Sequence, residues 1–145
     1  MENTDDINNK KFTVEAVKTG KVWGLLVDDN WAVSPSTDFE NAEVLLFWSN
    51  EGDAKKCATE DWNDYQPQSI ILTEFIEEWL PGMYEEGIVV GTNWTPSLEG
   101  LESDPLSLAI EIVNELIEQK SNYIPEGYNS LSEFEAALIE MGDDL

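Results

Sequence analysis

The chain has 145 residues, 41% of them hydrophobic and six of them Trp, long enough to bury a real core and too aromatic for a disordered chain of this charge. Against 31 Asp and Glu stand seven Lys, with no Arg and no His, for a formal charge of -24. A field of that sign repels phosphate backbones and attracts cationic surfaces, which argues against direct nucleic-acid binding and for a basic protein partner.

Taken in chain order, "KKFTVEAVK" (10–18) predicts a short helix with Phe12, Ala16 and Val17 on one side. "KVWGLLVDDNWAVS" predicts a hairpin: Val22 to Val27, a turn at Asp28-Asp29-Asn30, and a return from Trp31 to Val33. Residues 34–42 are expected as loop, and "EVLLFW" (43–48) as a central strand. Ser49 or Asn50 is placed to cap a helix through "EGDAKKCATEDW", with Ala54, Cys57 and Ala58 on one face. Pro67 should interrupt the chain before a strand over 69–72.

Thr73 is then expected to cap a helix that turns Phe75, Ile76, Trp79 and Leu80 inward and stops at Pro81-Gly82. "GIVVGTNW" reads as a fifth strand, ended by Pro96. Asp104-Pro105 is an N-cap followed by Pro at the first helical position, opening a helix over 105–119. Its apolar stripe is Leu106, Ala109, Ile110, Val113, Leu116 and Ile117. After a turn at Pro125–Gly127, "SLSE" (130–133) forms a capping box for a last helix that buries Leu131, Phe134, Leu138 and Met141. The expected class is α+β: a single domain over 1–145, with a mostly antiparallel sheet of about five strands covered by helices.

Several kinds of chemistry lack their residues. Without His there is no Ser-His or Cys-His couple and no imidazole metal ligand, and one cysteine makes no thiolate zinc site. The doublets Asp5-Asp6, Asp28-Asp29 and Asp143-Asp144 lack calcium-loop spacing. The reading is therefore no metal, no cofactor and no enzyme. Cys57 sits on the apolar face of its helix and reads as a buried structural thiol. No run of 18 apolar residues occurs, the first residues are acidic, and a single cysteine suits a reducing compartment; the expectation is a cytoplasmic protein that does not enter a membrane.

Two places could meet a partner. Glu111, Glu115 and Glu118, spaced i, i+4, i+7, form an acidic ridge opposite the apolar stripe, which Glu133 and Glu140 could extend. Asp61, Trp62, Asp64 and Tyr65 lie in a polar segment, where Trp and Tyr are the residue types that anchor interfaces. An ordinary solvated helix face remains the plain alternative for the ridge.

The succession "VWGL", "DDNWAV", "LLFWSNEGDAKKCATEDW", "YQPQSI", "FIEEWLPGM" and "VVGTNW" resembles domain-of-unknown-function family 2750, a family of small bacterial proteins, over residues 10–118. "WLPGM" followed by "VGTNW" carries it most specifically, and 120–145 reads as a C-terminal helical extension outside the pattern. The resemblance implies no activity, so it assigns no residue a role. The functional expectation is an acidic protein-binding inhibitor, an immunity protein that neutralises a basic, nuclease-type toxin effector. The alternatives are a nucleic-acid mimic that blocks a DNA- or RNA-binding protein, and a carboxylate-based enzyme or cytoplasmic housekeeping protein.

Overall fold

The structure, a computed structural model, describes residues 4–36, 42–97 and 99–143. Its elements are helix α1 (Thr4–Thr19), strands β1 (Lys21–Val27), β2 (Asn30–Trp31), β3 (Val33–Pro35) and β4 (Glu43–Phe47), and helix α2 (Glu51–Lys56). A 3-10 turn (Glu60–Trp62) leads to β5 (Gln66–Ile71), followed by α3 (Leu72–Glu74), a π-helical turn (Phe75–Trp79) and α4 (Leu80–Glu86). Strands β6 (Val89–Thr92) and β7 (Leu101–Ser103) and helices α5 (Pro105–Glu118) and α6 (Leu131–Asp143) complete the α+β chain.

The strands number seven among the described residues, not five, and divide into sheets ordered β2-β1-β5 and β3-β4-β6-β7. All pairings are antiparallel except β4 with β6, where Val44 faces Val89 and Phe47 faces Thr92. The expected hairpin return belongs to both sheets. Trp31 still pairs with Leu26, whereas Val33 already pairs with Leu45. Ala32 joins them, donating to the Leu25 carbonyl at 2.9 Å and accepting from the Leu46 amide at 3.4 Å. An antiparallel bridge between Trp23 and Trp48 ties the sheets a second time. The predicted 34–42 loop therefore begins as strand, because Ser34 and Pro35 pair with Val44 and Glu43; residues 37–41 lie outside the described residues.

Period-2 alternation along β4 sends its side chains into two cores. Phe47 enters a large cluster with Phe12, Val22, Phe75, Leu80, Val90, Leu108 and Ile112, beneath α1, α4, α5 and α6. Val44, Leu46 and Trp48 enter a smaller one with Leu25, Cys57, Val89 and Trp94, where α2 and the segment after it pack. Both faces of the strands are thus covered. In the larger core, Phe47 meets Phe75 and Trp79 edge-on at 4.8 and 5.7 Å, and Trp79 meets Trp31 at 5.1 Å, geometries that aromatic quadrupoles favour. Gly24 makes room for Trp31, whose ring would lie 2.7 Å from a Cβ there.

Four local expectations are corrected. The helix α2 stops at Lys56 rather than running through Trp62; Asn50 is its cap, accepting the Asp53 amide at 2.8 Å. Pro67 lies within β5, opposite Leu25, and is tolerated because β5 is an edge strand with one unpaired side. Thr73 does not cap; the helix is entered from Ile71 with no side-chain hydrogen bond. Pro81-Gly82 does not end the helix either. Leu80 donates back to Phe75, five residues earlier, and this wide turn relieves the clash a proline ring makes with a normal helical carbonyl, so the helix continues through Pro81. It ends at Gly87, whose φ of 74° suits a residue with no Cβ.

The α5 helix opens as expected, with Asp104 accepting the Ser107 amide at 3.0 Å. Its buried stripe is rotated towards Leu108 and Ile112, which are fully buried, whereas Ile117 is exposed. The cause is company: α5 contacts three other helices, α1, α4 and α6, so a wider arc is covered than one apolar stripe suggests. In α6 Ser130 caps the Glu133 amide at 3.1 Å, and the Glu133 carboxylate accepts from Asn129 one residue before the expected amide. Helix α1 extends the predicted helix back to Thr4.

Candidate functional site

The α5 helix presents Glu111 and Glu118 to solvent, with Glu115 half-buried between them. The Glu115 carboxylate accepts from the Gln119 side chain at 2.7 Å and leans into a groove of about 380 Å³ between α5 and α1. The ridge therefore borders a groove whose far wall carries Val14, Val17 and one lysine, Lys18. Glu133 and Glu140 are exposed on α6, which packs beside α5.

The second predicted strip sits elsewhere. Trp62 and Tyr65 are half-buried against the smaller core, Asp64 is exposed, and the Asp61 side chain lies outside the described residues. The Trp62 amide donates to Thr59 at 2.9 Å and the Tyr65 amide to Trp62 at 3.0 Å, holding a tight turn that begins at Glu60 with φ of 52°. A cleft of about 160 Å³ separates this turn from β3 and exposes Trp62 beside Val33 and Pro35. Because α5 covers the larger core and this turn covers the smaller one, the two predicted strips lie on opposite faces of the strands. A single flat partner cannot contact both.

A third constellation went unread in the sequence. The carboxyl ends of the parallel strands β4 and β6 lie side by side, and the residues just beyond them are polar: Ser49, Asn50 and Asn93. The Asn93 carbonyl oxygen accepts the Ser49 amide at 2.9 Å, and its amide donates to the Ser49 hydroxyl at 3.1 Å. The Ser49 hydroxyl donates in turn to Glu15 of α1 at 2.5 Å, and the Asn50 amide donates to the same carboxylate oxygen at 3.0 Å. These two donors, the hydroxyl first, hold the Glu15 carboxyl below its ordinary range. Strand ends of this kind are where ligands gather in parallel sheets. Here, however, Ser49 is fully buried and Glu15 is made a weaker base, so the network works as a latch that fastens α1 to both strands. Its signal in the sequence is the polar pairs Ser49-Asn50 and Thr92-Asn93, which follow the apolar runs "VLLFW" and "IVVG".

Two further side chains have settled roles. Cys57 is buried, its thiol donates to the Trp94 carbonyl at 3.2 Å, and burial pushes its ionisation up, away from a reactive thiolate. Glu77, which is not among the residues read as facing inward from its helix, accepts the Tyr123 hydroxyl and, at 2.9 Å, the Glu126 amide. It thereby ties the connection between α5 and α6 back to the π-helical turn. Burial, and then the Glu77 carboxylate, push the Tyr123 phenol far above its usual ionisation. Among the described residues no group of three or more Asp, Glu or Cys is arranged to hold a metal ion, and no helix is long and apolar enough to cross a membrane. The side chains of Asp5, Asp6, Asp143 and Asp144 lie outside the described residues.

No curated protein matches the chain, and no solved structure matches it. A family model described as "Protein of unknown function (DUF2750)" matches residues 9–112. That span holds Glu15, Ser49, Asn50, Asn93 and the turn at 60–65, and it ends within α5, before Glu115 and Glu118. With most of its length covered, the chain belongs to this family of unknown function, DUF2750.

Proposed function

We propose that the chain is an acidic protein-binding inhibitor: an immunity protein that neutralises a basic, nuclease-type toxin inside the cell that makes it. The observation that carries this reading is the near-absence of lysine from the elements α3 to α6, although α1, packed against α5, brings Lys18 to their edge. Lys10, Lys11, Lys18, Lys21, Lys55 and Lys56 lie on α1, β1 and α2, whereas the layer from α3 to α6 carries only Lys120. On that layer Glu74, Glu78, Glu85, Glu86, Glu111, Glu118, Glu126, Glu133 and Glu140 are all exposed. A one-signed face steers a cationic partner and raises its association rate more than it raises raw affinity. A nuclease suits it because enzymes that grip phosphate present cationic surfaces.

The test is genetic and then physical. The product of the neighbouring gene, expressed alone, should arrest growth, and co-expression of this chain should relieve the arrest. The purified pair should associate with a rate that falls steeply as salt rises from 50 mM to 500 mM, since Debye screening shortens the field to a few ångströms. A harmless neighbour and no binding to it would refute the proposal.

A further inference from the structure

The acidic layer is not uniformly polar. Helix α6 packs chiefly on α5, and at the margin of its apolar stripe a cleft of about 250 Å³ lies between it and the start of α4. Phe134, Leu138 and Met141 of α6, with Pro81 opposite and Tyr128 from the connection, give this cleft an apolar lining. Glu77 and Glu126 stand at it as well. The Glu77 carboxylate spends two acceptor positions on Tyr123 and the Glu126 amide, and a carboxylate has about four. Phe134 and Leu138 are core residues, whereas Ala137 and Met141 remain partly accessible.

The size and surroundings select an occupant. At about 250 Å³ the cleft falls below the range of roughly 300–1,000 Å³ typical of small-molecule pockets, and it suits one or two aliphatic side chains. A second copy of this chain would bring its own charge of -24 against a like-charged face, a juxtaposition that costs binding energy. A lysine- or arginine-rich segment meets no such penalty, and its cations would find Glu77 and Glu126 beside the apolar floor. We infer that the cleft between α6 and the start of α4 is a docking site for an apolar anchor carried on a basic segment of a protein partner. This inference rests on the proposed recognition of a basic partner and says where on the acidic layer that partner is held.

The chain has three methionines, and two of them make an internal comparison: Met141 lines the cleft, whereas Met83 is buried in the core. Protein labelled with 13C in its methionine methyls is titrated with a 12-residue amphipathic peptide of Lys and Leu, with a Glu/Leu peptide of the same pattern as control. Binding is followed in parallel by fluorescence anisotropy. The expected result is a saturable shift of the Met141 methyl with the Lys/Leu peptide alone, while Met83 stays in place. Ala137→Arg, which puts a cation into the cleft, should weaken binding at least tenfold. Ser132→Arg, an equal charge change at an exposed position of α6, should weaken it less than threefold. Binding that leaves Met141 unmoved, or equal losses from the two substitutions, overturns the cleft as the site while leaving recognition of a basic partner standing. No binding of the Lys/Leu peptide at low salt overturns the cleft and counts against the basic partner as well.

Discussion

Replacing Asn93 with Ala tests the latch at the ends of β4 and β6. The Asn93 side chain accepts the Ser49 amide at 2.9 Å, and Ser49 is fully buried. Removing it leaves a buried donor unpaired, at a cost of about 1–3 kcal/mol. Asn93 also has φ of 51°, a left-handed conformation that Asn tolerates and Ala does not, worth about 1 kcal/mol or more. Together these predict a loss of about 2–4 kcal/mol. Asn93→Gly removes the same hydrogen bonds without the left-handed penalty, so it should cost less than Asn93→Ala. Urea unfolding followed by Trp fluorescence measures both. With a slope of roughly 2 kcal/mol per molar urea, the Ala variant should unfold about 1–2 M earlier. An Ala variant within 0.5 kcal/mol of the parent would refute the latch, and a Gly variant less stable than the Ala variant would refute the backbone half of the argument.

Two other outcomes are expected. Glu15 ionises below its ordinary value of 4.5 in the folded chain, so its contribution to stability is complete above that value and is lost as pH falls through the folded one. The stability gap between the parent and Glu15→Gln should therefore be widest above about pH 5 and close on acidification; a gap that stays constant from pH 7 to pH 3 would show that Glu15 is not held by Ser49 and Asn50. Cys57, buried with its thiol pushed up, should resist a thiol-reactive dye in the native protein and label fully in urea, read by mass spectrometry. Labelling of the native protein at the rate of a free thiol would contradict its placement.

The sequence was most legible where one local rule decided the outcome. The Asp104-Pro105 start of α5, the Ser130 cap of α6 and the strand β4 each follow from a cap or an apolar run, and the structure keeps them nearly residue for residue. The buried Cys57 was legible for the same reason, as the apolar face of a short helix. The family resemblance, read over 10–118, agrees with the match over 9–112. Legibility failed where a second element changed the outcome. Pro81 reads as a helix stop, but the π-helical turn before it lets the helix pass. Pro67 reads as a break, but an edge position leaves the strand intact. Strand β7, only three residues long, has no pattern of its own and exists because Gly91 and its neighbours offer an edge to pair with.

The same division runs through the candidate sites. Composition alone determines the sign and size of the net charge, because charge is a sum over residues and needs no fold. The order of residues determines the elements whose caps and periodicity lie within a few residues of one another. Only the tertiary structure decides that the ridge on α5 and the turn at 60–65 lie on opposite faces, that Glu77 faces Tyr123 rather than solvent, and that Glu15, Ser49 and Asn93 meet. Those pairings join residues 34 to 46 positions apart. Which distant partners meet depends on how the strands order and where the helices pack, and no local pattern in the chain encodes that order.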